Sequence, residues 1–150
     1  MRSSLRFVLL TCAGLALAAP LPASAASKNF IAVLNGGQEV PPSATSTSVG
    51  TGFFTLDTAT GMVCYAISYT ALTSAETDAH IHGPDAPFTE HPMNIIIGLA
   101  PLGSPMQGCV GPLTGPQMGD MKKGLYYVNI HSVNFPLGEI RGQLTPVKGK

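Results

Sequence analysis

The stretch GTGFFTLDTATGMVCYAISYT, residues 50–70, decides the fold class. In its second half apolar residues such as Val63, Tyr65 and Ile67 alternate with small or polar ones, a period of two that is typical of a half-buried β-strand. The connection TATG, residues 58–61, is short and has glycine at its end. The whole stretch therefore predicts a β-hairpin.

Similar strand-like segments follow one another along the rest of the chain. They lie at residues 29–34, 79–83, 93–99, 125–132 and 139–145. The isoleucine-rich segment 93–99 is expected to be buried on both faces or to lie at a sheet centre. Only residues 114–124 suggest a helix, one or two turns long with Thr114 as the N-cap. About seven short strands, with 17 Gly and 13 Pro to form turns, predict an all-β fold with one short helix, a Greek-key β-sandwich or flattened barrel.

Residues 1–25 predict a secretory signal peptide rather than part of the fold. Two arginines, Arg2 and Arg6, precede an apolar run at residues 7–17, and Ala-Ser-Ala at residues 23–25 is a small-x-small cleavage site. The run is shorter than the about 20 residues of a membrane-spanning helix, so we expect no membrane span after signal removal. Residues 26–150 would then form a single domain, periplasmic or secreted.

Charge and motif content exclude several function classes. Without Arg2 and Arg6, six basic residues stand against eight acidic ones, and no basic stripe indicates nucleic-acid binding. Ser132 directly follows His131, so on a strand the two side chains point to opposite faces and cannot form a nucleophile–base pair. No phosphate-binding glycine loop and no paired carboxylates stand out. The sequence thus indicates no catalytic residues.

Two cysteines, Cys64 and Cys109, remain after signal removal. A pair of cysteines in an exported chain predicts a disulfide. A cysteine thiolate that binds copper is the alternative.

Three of the four histidines lie in two strand-like segments. His80 and His82 of DAHIHGP, residues 78–84, share a face because side chains repeat every two residues on a strand. His131 ends the segment YYVNIH, residues 126–131. In both segments, and in residues 139–144, apolar residues alternate with the histidines or charged residues, which predicts imidazoles on the outer face of the sheet under a loop.

These imidazoles predict a metal site formed by His80, His82 and His131. Three imidazoles with an open fourth position suit copper or zinc. Four further side chains are candidates for orienting the rings through hydrogen bonds: Asp78, Asp85, Asn129 and Glu139.

Other interpretations of these residues stay open. A His-x-His pair can be an ordinary exposed polar pair, which leaves a metal-free module that meets another extracytoplasmic protein. The segment Glu139-Ile140-Arg141 can form a cross-strand ion pair or anchor the turn. His91 beside Met93 offers another imidazole and a thioether from a loop, with no role that the sequence defines.

Five motifs, in this order, resemble the CHRD domain, which is named for its repeats in chordin. They are LNGGQEVPP at 34–42, GTGFF at 50–54, HIHGP at 80–84, YVNIH at 127–131 and PLGEIRGQL at 136–144. The resemblance covers nearly all of the chain after the signal, as in the single-domain exported bacterial form. It implies an extracytoplasmic β-rich domain of poorly defined activity, and its histidine motifs coincide with the three histidines above.

A weaker similarity is to copper–zinc superoxide dismutase, also a Greek-key barrel with a His-x-His strand. At the level of the fold, this enzyme and the immunoglobulin-like sandwiches are the nearest analogies. The zinc-loop ligand set of that enzyme is not recognisable in this sequence. A dismutase-like copper enzyme is therefore a third hypothesis that rests on fold analogy alone.

Overall fold

The computed structural model of this chain describes residues 26–43, 45–89 and 95–148 as an antiparallel β-structure with one short helix. A 3₁₀ turn at Gly36–Gln38 follows the first strand. The strands are β1 Ser27–Asn35, β2 Val49–Asp57, β3 Val63–Tyr69, β4 Glu76–His82, β5 Ile95–Gly98, β6 Met106–Val110, β7 Tyr127–Ser132, β8 Ile140–Gln143 and β9 Thr145–Pro146, and the helix is α1 Gly115–Lys122.

The strands pair in the order β5-β4-β7-β8-β1-β2-β3-β6, and β9 pairs with β1. All pairings are antiparallel, and hairpin neighbours alternate with long connections, as in Greek-key topologies. The two ends of this order approach each other, since the Tyr65 hydroxyl of β3, the neighbour of the end strand β6, donates to the carbonyl of Ala100, two residues after β5 (2.6 Å). The predicted all-β sandwich or barrel with one short helix is confirmed.

The β2–β3 hairpin has the predicted form. Its strands pair from Gly50 opposite Tyr69 to Leu56 opposite Val63. In the turn, the Asp57 side chain accepts a hydrogen bond from the Ala59 amide (2.8 Å). Gly61 closes the turn with φ +74°, a left-handed conformation that side chains other than glycine rarely adopt.

Two expectations about strands are wrong. β6 lies in a passage whose glycines and prolines hid it, and its partner β3 supplies the hydrogen bonds that make it a strand. β5 lies at one end of the strand order rather than at the centre, because it pairs only with β4 among the described residues. Its Ile96 and Ile97 are accordingly only half-buried.

The core lies between the inward faces of the strands. Apolar side chains at alternate positions form one cluster, whose members include Phe30, Leu34, Phe54, Leu56, Val63, Ile67, Ala79, Ile81, Met121, Tyr126, Val128, Ile130, Ile140 and Leu144. The strands that carry the histidines thus present Ala79, Ile81, Val128 and Ile130 to the core, as the alternation predicts.

A disulfide and a capped helix complete the scaffold. Cys64 and Cys109 lie opposite each other on β3 and β6 and are bonded, which confirms the predicted pair and excludes a thiolate copper ligand. Thr114 caps α1 as predicted: its hydroxyl accepts from the Gln117 amide, while the Gln117 side chain accepts from the Thr114 amide.

No helix in the described ranges has the length and apolar character needed to cross a membrane.

Candidate metal centre

The antiparallel register of β4 and β7 brings the three histidines together. Asp78 lies opposite His131, and His80 lies opposite Asn129. Alternate residues share a face, so these side chains and that of His82 all lie on the side opposite the core. Two separate strands therefore supply one cluster, as the sequence predicts.

The distances within the cluster suit a shared ion. One ring nitrogen from each of His80, His82 and His131 lies within 4.8 Å of the others. The closest pair is His80 Nδ1 and His131 Nε2, 3.1 Å apart. In a tetrahedral site with metal–nitrogen bonds of about 2.0–2.1 Å, ligand nitrogens are about 3.3–3.4 Å apart. Among the described residues this is the one group of three or more His, Cys, Asp or Glu side chains with such spacing.

The outer nitrogens of two rings are held by acceptors. His131 Nδ1 is 3.1 Å from the carbonyl oxygen of Pro136, and His80 Nε2 is 3.1 Å from Asp78 Oδ1. A carbonyl and a carboxylate only accept hydrogen bonds, so a neutral ring that donates to either of them carries its hydrogen on the outer nitrogen. The inner nitrogens, which face each other, are then the ones with free lone pairs.

A further acceptor faces the same point. Asn129 Oδ1 is 3.2 Å from His131 Nε2, the nitrogen that already faces His80 Nδ1. In these neutral tautomers three electron-rich atoms meet: His80 Nδ1, His131 Nε2 and Asn129 Oδ1. Such an arrangement is repulsive unless a cation, a proton or a metal ion, lies between them.

His82 is the most buried member of the cluster. Its exposed fraction is 8 %, and its Nε2 is buried without a hydrogen-bond partner. Its ring stacks on that of Tyr127, nearly parallel, with centroids 5.0 Å apart. Burial, followed by the nearby His80 and His131, lowers the pKa of His82 to about 4. The ring is therefore neutral at pH 7, the form that binds metals.

His131 is similarly disposed towards the neutral form. Burial lowers its pKa below the ordinary value, against the opposing effect of the hydrogen bond to Pro136. His80 keeps 15 % of its side chain exposed, and its partner Asp78 keeps 61 %. The cluster thus runs from a buried end at His82 to a wetter end at Asp78.

A pocket opens onto the cluster from outside. Its volume is about 570 Å³, and its walls are Thr77, Asp78, His80, His82, Asn129, His131, Ser132, Val133, Pro136 and Leu137. An ion at the inner nitrogens would keep a coordination position that water or a small ligand reaches through this pocket.

The outer face of this sheet is less open than the sequence predicts. Tyr127, Asn129 and Arg141, all expected to face outward, are only 2–3 % exposed. The segment 83–89 covers them: Arg141 donates to the carbonyl of Thr89 (2.9 Å), and Gln143 donates to that of Asp85 (2.9 Å). A covering loop was expected, but its extent beyond the histidines was not.

Glu139 does not lie at the histidine cluster. It is fully buried, and its carboxylate accepts hydrogen bonds from the hydroxyls of Ser46, Ser48, Thr73 and Ser132 and from the Thr73 amide. These donors occupy both oxygens, so Glu139 is not an acceptor for an imidazole here. Among the described residues its carboxylate forms no ion pair; of the expected roles, it anchors the turn before β8.

The other candidate residues have different positions. Asp78 and Asn129 lie next to His80 and His131, as expected. Asp85 belongs to the covering segment, where its amide donates to the carbonyl of Leu125 (2.7 Å). His91 and Met93 lie outside the described residues.

Sequence reasoning overlooked the contact between Tyr127 and Arg141. The guanidinium carbon of Arg141 is 3.4 Å from the centre of the Tyr127 ring, which itself stacks on His82. The sequence held part of the signal, since Tyr127, Asn129 and Arg141 all alternate with core residues, but the register that sets Arg141 opposite Asn129 is seen only in the structure.

The fold and site define a β-domain with a disulfide and a histidine cluster on one sheet face. The family model of the CHRD domain matches residues 30–144. The chain therefore belongs to the CHRD domain family, as its motifs suggested. No curated protein and no solved structure matches the chain.

Proposed function

We propose that this protein is an exported metal-binding module that holds one copper or zinc ion through His80, His82 and His131, for storage, delivery or structural support. The observation that carries the proposal is the convergence of lone-pair atoms: the inner nitrogens of His80 and His131 are 3.1 Å apart while acceptors hold both outer nitrogens. A metal ion removes this repulsion and takes His82 as its third imidazole ligand.

The hydrogen-bond partners of these imidazoles are of the kinds that metal-bound histidines have. A metal-bound histidine commonly donates its second ring hydrogen to a carboxylate or a backbone carbonyl, which fixes the ring and raises its basicity. Asp78 and Pro136 are such acceptors for two of the three rings. We infer that copper and zinc, which accept three imidazoles, suit the site better than magnesium or calcium, which prefer oxygen ligands.

The test is metal affinity measured on protein without a histidine tag. Competition titrations with Cu(II) and with Zn(II) are expected to give one ion per chain for the wild type. His80→Ala, His82→Ala and His131→Ala should each weaken binding by at least about 100-fold, since loss of an outer partner alone costs about 10- to 100-fold.

Two further variants make the test specific. His91→Ala, which removes the remaining histidine of the chain, is expected to keep the wild-type affinity. Asp78→Asn is expected to weaken binding by about 10-fold, because it removes the charge but keeps an acceptor oxygen for His80. A wild type that binds neither metal, or triad variants with unchanged affinity, would refute the proposal.

A second candidate function, a metal-free interaction module, is favoured by an apolar surface on β1 and β2. Ile31 and Val33 of β1 and Val49 and Phe53 of β2 are 43–63 % exposed, and Ile31 pairs directly with Phe53. An exposed apolar sheet face of this kind typically marks a protein–protein contact.

We propose another extracytoplasmic protein as the partner of this face. Phe53→Lys should abolish capture of a partner from an extracytoplasmic extract while leaving metal affinity unchanged, and Thr55→Lys on the same strand is the matched control. Equal capture by wild type and Phe53→Lys would refute this second function. A loss of self-association instead would identify a second copy of the chain as the occupant.

The location of the protein is part of the same proposal. The signal-like residues 1–25 and the Cys64–Cys109 disulfide support export to an oxidising compartment, either the periplasm or the medium. Fractionation of cells with an antibody to the chain, together with the N-terminal sequence of the mature protein, tests both the compartment and cleavage after Ala25.

A further inference from the structure

Arg141 places a buried positive charge beside the proposed metal site. Its side chain is 2 % exposed, and its contacts are the carbonyl of Thr89 (2.9 Å) and the face of Tyr127. Among the described residues no carboxylate pairs with it. A guanidinium does not lose its proton in proteins, so this charge persists under all physiological conditions.

The charge lies on the same sheet face as the histidines. Arg141 is opposite Asn129, and Asn129 is opposite His80, so the three residues form a row across β8, β7 and β4. The guanidinium carbon is 3.4 Å from the Tyr127 centroid, and that centroid is 5.0 Å from the centre of the His82 ring. The charge is therefore at most 8.4 Å, the sum of 3.4 Å and 5.0 Å, from the His82 ring centre.

We propose that Arg141 selects the charge of the bound ion, favouring Cu(I) over Cu(II) and Zn(II). This inference rests on the proposed metal-binding function and adds to it the oxidation state that the site prefers. A cation repels a doubly charged ion twice as strongly as a singly charged one. Three imidazoles without a further protein ligand also leave a low coordination number available.

The size of the effect follows from the separation. Over about 8–10 Å, with an effective dielectric constant of about 20–40, one unit of charge changes an affinity by about 5- to 30-fold. The negative charge of Asp78 acts in the opposite direction, but that side chain is 61 % exposed and water screens it. Arg141 is buried and is therefore screened less than Asp78, and the buried carboxylate of Asp85 is the same in every variant, so the comparison isolates the charge of Arg141.

The experiment compares Cu(I) and Zn(II) affinities of the same variants. Cu(I) is measured anaerobically by competition with a chromogenic chelator, and Zn(II) by competition with a fluorescent one. Arg141→Met and Arg141→Gln remove the charge, and Arg141→Lys keeps it while losing the planar contact with Tyr127. Circular dichroism and a thermal melt establish which variants are folded, and either folded neutral variant is sufficient.

The prediction concerns the ratio of the two affinities. Neutral variants should bind Zn(II) more tightly relative to Cu(I) by about 5- to 30-fold, and Arg141→Lys should retain the wild-type ratio. In the copper-loaded protein the same variants should lower the Cu(II)/Cu(I) potential by about 40–90 mV, at 59 mV per tenfold.

The outcomes separate this inference from the proposed function. If neutral variants bind both ions with an unchanged ratio and potential, Arg141 has only a structural role and the inference is overturned while metal binding stands. If the wild type binds neither ion, both are overturned. A ratio that shifts equally in Arg141→Lys would assign the effect to packing on Tyr127 and would also overturn the inference.

Discussion

Replacement of Glu139 gives a sharp test of how this domain is held together. The carboxylate is fully buried and joins three separate segments: residues 46–48, Thr73 and the end of β7 at Ser132. Hydrogen bonds to a charged group contribute about 1.5–3 kcal/mol each, against about 0.5–1.5 kcal/mol for neutral ones. The isosteric Glu139→Gln loses only this difference, because serine and threonine hydroxyls can rotate to accept from the new amide.

We therefore expect unequal costs for two substitutions. Glu139→Gln should lower the free energy of unfolding by about 2 kcal/mol, and Glu139→Ala by about 4 kcal/mol, since alanine also leaves a cavity and the buried Ser132 hydroxyl without its acceptor. Urea denaturation at pH 7 measures both. Asp120→Asn is the matched control: that carboxylate forms an exposed pair with Lys123 (2.9 Å), and its loss should cost less than about 1 kcal/mol.

The pH dependence gives the same test a second readout. Burial, the largest influence, would raise the pKa of Glu139, but hydrogen bonds from Ser132, Thr73 and Ser46 outweigh it and the pKa is lowered. The unfolded chain has a glutamate pKa of about 4.3, and the pKa of Glu139 in the folded protein is lower. The stability that its carboxylate contributes is therefore fully present above the unfolded-state pKa and is lost as the pH falls through the folded-state pKa. The gap between wild type and Glu139→Gln should be constant from pH 7 to 5 and shrink below pH 4. A constant gap down to pH 3, or a cost of Glu139→Ala below 1 kcal/mol, would refute the reasoning.

Three shorter predictions concern the rest of the molecule. Replacing Cys64 and Cys109 by serine should cost about 4 kcal/mol of stability in the chain-entropy model, given the 45-residue separation, as chemical denaturation will show. Thr114→Ala should cost about 1 kcal/mol through loss of the helix cap, whereas Thr114→Ser should be nearly neutral in the same assay. Because burial lowers the pKa of His82 to about 4 and also lowers that of His131, zinc affinity should be nearly constant from pH 8 to 7 and fall only at lower pH; a steep fall already between pH 8 and 7 would contradict this.

Local patterns in the sequence were sufficient for much of the fold. Alternation along β3, the turn at residues 58–61 and the capping residues around Thr114 all act within a few positions of the chain, so each was predictable. The histidine cluster was predictable for the same reason, since strand periodicity determines the face that His80, His82 and His131 occupy. Only the pairing of β4 with β7 had to be supplied by the fold.

The parts that were missed depend on distant backbone atoms. Arg141 and Gln143 look like outward-facing residues in their strand, yet carbonyls of the segment 83–89 accept their hydrogen bonds. Any residue type can supply a carbonyl, so the covering segment leaves no mark in the side-chain pattern. The ring-orienting role predicted for Glu139 was wrong for a similar reason: the hydroxyls that surround it come from residues up to 93 positions away.

The hydrogen bonds to Glu139 and the histidine cluster share one turn. We therefore expect that a substitution of Glu139 that destabilises this turn also lowers metal affinity. This turn, residues 133–138, follows Ser132, whose hydroxyl donates to Glu139. It also contains Pro136, whose carbonyl oxygen is the partner of His131 Nδ1. Since His131 and Ser132 are adjacent on β7, His131 faces the proposed metal site while Ser132 faces Glu139. A folded Glu139→Ala protein should thus bind metal more weakly than wild type even though it keeps every ligand, whereas Glu139→Gln, which keeps the turn in place, should bind almost normally. This difference distinguishes a turn that positions His131 from one that merely lies beside it.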